Sequence, residues 1–286
     1  TLFQHEDSSI AGVGCKPPDG SIERAGGAAL ILACNGYGAD KALVSAHIPE
    51  MADALYFGHP GNQGEAALWG EALGAGLKHL SGHQGHGSVA HPHGILVTWA
   101  TIVEGGFQVN ARGLRFANEA RGYSEAAAPV LAQEGGHAWT IFDGRIAAIA
   151  RQFEDFRMAE AAGAILTAAT LDDLAALARL DASALGTTAA EASRLKAEGG
   201  VDRFGRCWKD LPELVAPFHA VKVTGALFHT QGGLMVDGVA RVQRPDGSLL
   251  PNLFAAGGAA CGVSGASAAG YLSGNCLLYT SDAADE

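Results

Sequence analysis

Residues Ala28–Gly38 read AALILACNGYG. A short run of small and apolar residues, Ala28 to Ala33, stops abruptly at Cys34-Asn35-Gly36-Tyr37-Gly38, the pattern of a buried strand ended by a glycine turn. Glycine at such a turn lets backbone come close to a ligand, so the strand is expected to lead into a ligand-binding turn. Downstream, Ala66, Leu68, Trp69, Leu73 and Leu77 recur at helical spacing from Glu65 to Leu77, behind the turn Gly61-Asn62-Gln63-Gly64. Glu65 then sits at the helix start, where a negative charge suits the helix dipole.

Residues 81–94 are rich in Gly, His and Pro and read as a loop, followed by apolar Ile95–Val103 and alternating Phe107-Gln108-Val109. The change in composition places a domain boundary near residue 85. From about 150 to 200 the chain reads as helical, with Thr170 as an N-cap, Asp172 and Asp173 in the first turn, and Leu171, Leu174, Leu177 and Leu180 on one face. Asp202-Arg203-Phe204-Gly205-Arg206 breaks that periodicity. Beyond Pro217 the pattern turns to strands at Ala220–Val223, Gly232–Val236 and Leu253–Ala256, with a turn at Pro245-Asp246-Gly247 and a glycine-rich loop over 257–275. Strand, helical insert, then strands indicate an α/β domain interrupted by another.

With 286 residues and 48% apolar composition, the chain has room for one large or two ordinary globular domains. Its 40 glycines have no collagen-like period. A net charge of −11 without a Lys/Arg run excludes a nucleic-acid partner, since nothing would displace phosphate counterions. There is no apolar run of roughly 18 residues and no signal segment, so a cytoplasmic protein without a membrane segment is expected. Cys15, Cys34, Cys207, Cys261 and Cys276 lie far apart, in no zinc spacing. The start at Thr1, inside a strand-and-turn pattern, suggests a fragment. Residues 276–286 (CLLYTSDAADE) closely resemble the translation of a transposase adaptor used in sequencing libraries and are expected to be an artefactual tail.

Separated motifs occur in an order similar to that of the FAD-dependent fumarate reductase/succinate dehydrogenase flavoproteins. Val109-Asn110 with Gly113-Leu114-Arg115-Phe116-Ala117-Asn118-Glu119 resembles VN..GKRF.NE. Thr170–Ala175 and Asp202–Arg206 follow, then Phe228-His229-Thr230-Gln231-Gly232-Gly233 is similar to HHTMGG. Leu253-Phe254-Ala255-Ala256-Gly257 looks like LYAAGE, and Gly270–Asn275 like the closing GGN turn. The resemblance implies an α/β fold: an incomplete Rossmann-like FAD-binding domain (residues 1–84 and 229–275) interrupted by an α+β capping domain (85–228). The family's GxGxxG pyrophosphate loop has no counterpart here.

By the same resemblance the reaction is hydride transfer between FAD and an activated carbon–carbon bond of an organic acid or ketone, with a small-molecule substrate and an electron-transfer partner that the sequence does not name. His229 matches the substrate-binding His. Tyr123 stands where the family has its proton-donating Arg, an exchange resembling flavin-dependent ketosteroid dehydrogenases; a phenol can donate that proton. Arg121 is the alternative donor, and Tyr271 lies nearest the family's carboxylate-clamping Arg. Thr98-Trp99 replaces a Thr-Glu pair, and His91 faces substrate. Flavin contacts fall on Gly36, Asn62, Gly64, Glu65, Gly257, Gly258 and Asn275, with Gly258 in place of a family Glu.

Two rival readings accompany this one. His83-x-x-His86 with His91 and His93 offers imidazoles to a transition metal, although at no standard zinc spacing, so no metal ligand is assigned. A non-catalytic fragment that keeps the fold and binds FAD poorly is the other.

Overall fold

The structure is a computed structural model that describes residues 1–7 and 9–268. Tyr271, Asn275 and the expected tail at 276–286 lie outside the described residues. The chain divides into two compact units: unit one holds residues 1–52, 56–84 and the chain from Phe228, and unit two holds residues 53–55 and 85–227. Both mix helices and strands.

In unit one, the expected strand forms at Leu30–Leu32 and runs parallel to Leu249–Ala255, with Leu253 opposite Leu30 and Ala255 opposite Leu32. Arg241–Gln243 adds an antiparallel neighbour, while Leu2–Gln4, Ile10–Cys15 and Glu23–Gly26 form a separate antiparallel sheet. Asn252 ties the layers together: its Oδ1 accepts from Ile10 N at 2.7 Å, and its Nδ2 donates to Ile10 O and Ala28 O at 2.9 Å each. Leu32, Leu234, Val242 and Leu253 form the apolar core with Ile10.

The helix expected over Glu65–Leu77 is shorter, Glu65–Ala72. Gly74 turns the chain at φ 80°, and Leu77 goes instead into a two-stranded pairing opposite Leu234. The helix can pack this closely only through Gly70, where a Cβ would sit 2.1 Å from Leu234 Cδ2.

Unit two is built on a seven-stranded sheet whose centre is the strand Phe218–Thr230, flanked by His137–Asp143 and by His83–Ala90. Residues 81–94 therefore do not form the expected loop. All eight residues of His83–Ala90 are buried, so the strand has no polar face to reveal an alternation. Gly87 is a packing contact: a Cβ there would lie 2.7 Å from Ala126 Cβ. Successive residues on His137–Asp143 serve different cores, as strand geometry requires: Ile141 packs with Phe107, Leu174, Leu185 and Trp208, and Phe142 with Val97, Ile146, Phe156 and Val223.

Helix Leu171–Ala178 begins as expected, with Thr170 Oγ1 accepting from Asp173 N at 3.1 Å and donating to Asp173 Oδ2 at 2.7 Å. Its leucine stripe is only partly a core face, because Leu174 is fully buried whereas Leu177 is 55% exposed. Helix Ala182–Glu198 is capped by Asp181, whose Oδ1 accepts from Ala184 N at 2.9 Å, and ends at Gly199 with φ 62°. The short helix Ala100–Val103 ends in a turn whose carbonyls are taken by cations from distant segments. Arg206 donates to Ile102 O (3.1 Å) and Gly106 O (2.9 Å), Arg145 to Glu104 O (2.6 Å), and Lys196 to Gly105 O (2.7 Å). Cations suit the negative end of a helix.

Thr170→Ala removes an N-cap acceptor and is expected to destabilise the protein by about 1 kcal/mol. Denaturant unfolding of the variant against the parent chain measures it; a shift below a few tenths would deny the cap its role.

Candidate active site

In unit one, Gly36, Gly64 and Gly258 come together. Gly64 N donates to Gly36 O at 3.2 Å; a Cβ on Gly36 would lie 2.1 Å from Thr230 Oγ1, and one on Gly258 2.1 Å from Asn35 Oδ1. The closest approach at Gly36 and Gly258 is thus to protein atoms, and Thr230 Oγ1 also accepts from Tyr37 N at 3.2 Å. Gly257 is required for a different reason: its φ is 60°, and a Cβ there would meet nothing within 4 Å. Asn62 is buried, its Nδ2 donating to Tyr56 OH at 2.7 Å and its carbonyl accepting from Ala39 N at 3.0 Å. Glu65 is the first residue of its helix. His229 is half-buried next to Thr230 at the end of its strand; burial lowers its pKa below the usual value, against a smaller opposing effect of the Thr230 backbone.

Unit one also holds polar groups that the sequence analysis named, in the histidine cluster and in the HHTMGG-like motif, without giving them a cofactor role. Gln231 is 7% exposed, and both of its amide atoms lack a hydrogen-bond partner among the described residues; His83 is fully buried, with Nδ1 against Ser81 O at 3.0 Å and Nε2 without a partner among the described residues. Buried polar groups are ordinarily satisfied. A buried amide and imidazole left open fit a polar heterocycle such as an isoalloxazine edge.

In unit two, Tyr123 is fixed from both sides. Its carbonyl accepts from Gly87 N at 2.8 Å, and Ser124 Oγ accepts from Gly85 N at 2.9 Å, so the 122–126 segment lies along the His83–Ala90 strand. The Tyr123 ring stacks on His86 at 5.0 Å between centroids and 19° between planes, and Trp99 meets His86 edge-on at 5.6 Å and 88°. Such stacked and edge-to-face contacts are favourable aromatic geometries. His86 Nδ1 accepts from Ser88 N at 3.1 Å, which puts the proton of the neutral ring on Nε2. Burial lowers the His86 pKa to about 4, so the ring is uncharged at neutral pH.

Arg121, two residues before Tyr123, is exposed, and its guanidinium makes no hydrogen bond or ion pair among the described residues. Thr98 closes the start of the short helix, its Oγ1 accepting from Ala100 N at 3.3 Å and its carbonyl from Thr101 Oγ1 at 2.9 Å. His91 is exposed and stacks on His137 at 5.5 Å. Among the described residues no three His, Cys, Asp or Glu are grouped to hold a metal ion. His86 was visible in sequence only as part of a histidine cluster. Its position becomes legible once 83–90 is a strand, because His86 and Ser88 then share a face.

The RF.NE and DRFGR motifs meet in a buried ion cluster. Arg115 donates to both Glu119 carboxylate oxygens (3.1 and 2.6 Å) and to Asp202, and Arg206 lies 3.0 Å from Glu119 Oε1. Glu119 Oε1 also accepts from Gln108 N at 3.0 Å, and Asp202 Oδ2 from Trp208 Nε1 at 2.9 Å. Arg206 stacks over Trp208 at 4.0 Å and Arg115 at 4.8 Å. Burial pushes the Asp202 pKa up, but its bonds from Arg115, the Arg206 backbone and Trp208 outweigh that and hold the carboxyl below its usual range. The motif residues anchor the loop that carries Tyr123; both of these arginines are engaged and neither is left to bind an acid.

A family model described as an FAD binding domain matches residues 1–277. The chain belongs to this FAD-binding family. Within the FAD-binding family, it is 30% identical over 251 residues to a fumarate reductase (cytochrome) of Shewanella frigidimarina, covering 87% of this chain and 43% of the relative. A probable fumarate reductase, Ifc3, of Shewanella frigidimarina (strain NCIMB 400) is 27% identical over 282 residues, covering 98% of this chain and 46% of the relative. The open conformation of a flavocytochrome c3 fumarate reductase superposes with a TM-score of 0.73 at 26% identity, covering 92% of this chain and 46% of that one. The chain thus spans less than half the length of these curated relatives. FAD is the cofactor that this membership assigns.

Glu119→Gln leaves the 1%-exposed Arg206 without its counter-charge and is expected to cost about 3–5 kcal/mol in unfolding measurements. A second expectation concerns pH. With a folded pKa of about 4 against an ordinary 6.5, His86 contributes stability that is full above about 6.5 and is lost as pH falls toward 4. Chemical denaturation at pH 7 and 4.5 should show a smaller loss in His86→Gln than in the parent, and the ring's NMR titration should have its midpoint near 4.

Proposed function

We propose that the chain is the catalytic-unit portion of an FAD-dependent oxidoreductase that moves a hydride between flavin and a carbon–carbon bond activated by a neighbouring carbonyl, with a ketone or enone favoured over a dicarboxylate. One observation carries this preference: Tyr123 is packed in an uncharged aromatic group with His86 and Trp99, while Arg115 and Arg206 are spent on Glu119 and Asp202. In this reading unit one is the incomplete Rossmann-like FAD-binding portion, supported by the parallel pairing of Leu30–Leu32 with Leu249–Ala255 and the glycine turn that follows Leu32. Unit two is the α+β capping domain.

Gln231, His83, Asn62, Glu65 and the Gly257-Gly258 backbone would hold the flavin. When bound, FAD supplies the hydride-accepting or hydride-donating ring. Tyr123 handles the proton at the carbon beside the carbonyl through its phenol oxygen. His229, kept neutral by burial, donates an N–H to polarise a carbonyl oxygen.

A dicarboxylate reading has one specific support, the unengaged guanidinium of Arg121 close in sequence to Tyr123. The full-length protein, loaded with FAD and reduced anaerobically, discriminates between the two. Reoxidation by enones, reduced about 10²–10⁴-fold in Tyr123→Phe with flavin absorbance unchanged, is the expected result. Rapid reoxidation by fumarate that survives Tyr123→Phe and is lost in Arg121→Gln would overturn it.

A further inference from the structure

Helix Ala182–Glu198 carries a cation that the proposed reaction does not use. Lys196 is 7% exposed; its Nζ donates to Gly105 O at 2.7 Å and lies 5.6 Å from the Trp208 ring centroid. An ammonium offers three N–H groups, and among the described residues no carboxylate is within ion-pair distance of this one. The charged groups that face it are Arg206, Asp143, Arg145 and Glu213; the two carboxylates favour its charge from beyond contact distance and the two guanidiniums oppose it. Arg206 is held by Glu119 and Arg145 by Glu104, at 3.0 Å each. Asp143 accepts from Ile146 N (2.9 Å) and Val215 N (3.1 Å), and Glu213 accepts from Ser193 Oγ at 2.7 Å. Lys196 is thus a buried ammonium that Asp143 and Glu213 favour from a distance but that no carboxylate contacts among the described residues.

Beside it lies a cavity of about 260 Å3 with mainly apolar walls, among them Phe107, Leu171, Leu214 and Phe218. The helix side is thinned by Gly186, where a Cβ would meet nothing within 4 Å. Buried charges are ordinarily paired, and an apolar cavity with a lysine in its wall that no carboxylate contacts among the described residues is complementary to one chemistry. We propose that this cavity binds a small monocarboxylate with an apolar body, its carboxylate on Lys196 and its chain against Phe107, Leu171, Leu214 and Phe218. The proposal stands independently of the roles given to Tyr123 and His229. Burial lowers the Lys196 pKa to about 8, so the site is charged at neutral pH and binding weakens as pH rises past that value.

The probe is hexanoate, titrated into the chain by calorimetry or ligand-observed NMR. Saturable binding of one hexanoate per chain is expected, with 1-hexanol weaker by about tenfold or more and Lys196→Met weaker by a similar factor. Gly186→Phe, which fills the cavity and leaves the amine in place, should abolish binding. In the unaltered chain hexanoate should slow reductive methylation of Lys196, read by peptide mass spectrometry, so the proposal stays testable if Lys196→Met fails to fold. Absence of saturable binding, equal affinity for hexanoate and hexanol, unchanged affinity in Gly186→Phe, or methylation indifferent to hexanoate would each overturn it.

Discussion

The buried cluster of Arg115, Glu119, Asp202 and Arg206 is the constraint on which unit two depends. Four charges taken out of water are tolerable because nearly every donor and acceptor is used: Glu119 serves two arginines and a backbone amide, and Asp202 serves Arg115, Trp208 and its own turn. Such clusters add little net stability compared with apolar packing of the same volume, yet losing one member is costly. Their value lies in geometry. Here the cluster connects the loop before Tyr123 to a hairpin-like turn far along the chain, and the same Arg206 reaches back to the carbonyls of Ile102 and Gly106.

That scaffold withholds Arg115 and Arg206 from the Tyr123 neighbourhood. With Arg115 and Arg206 committed elsewhere, the Tyr123 ring stacks on His86, which Trp99 meets edge-on, and burial keeps His86 neutral. In unit one the opposite arrangement holds: polar atoms of Gln231 and His83 are buried without partners among the described residues, next to glycine turns packed to contact. A preorganised polar surface is expensive to maintain empty, and family membership supplies a cofactor with polar edges of the matching kind.

Features determined by near neighbours were legible in the sequence. The Leu30–Leu32 strand, the Thr170 cap and the helix beginning at Glu65 each depend on a few consecutive residues, and each formed where local chemistry placed it. The His83–Ala90 strand was hidden because burial of every residue removes the period-two signal, and because its glycines and histidines, used for close packing and ring stacking, are the composition of a loop. Leu77 left its helical pattern for the same kind of reason, a tertiary pairing with Leu234 overriding periodicity. The ion cluster lay beyond local reading altogether: Arg115 and Asp202 are 87 residues apart. Their motifs marked kinship without revealing that the charged residues in them are anchors rather than reactants.

The turn at 102–106 draws its hydrogen-bond partners from Arg145, Lys196 and Arg206. During vectorial synthesis these carbonyls precede all three side chains, Glu104 preceding Arg145 by 41 positions and Ile102 preceding Arg206 by 104. Until then water is their partner, and loop closure over that length must be paid in entropy before any contact returns it. The short helix that opens this segment is therefore completed from its downstream end, and a ribosome that stalls before residue 206 holds a nascent chain lacking both Arg206 and the central sheet strand Phe218–Thr230.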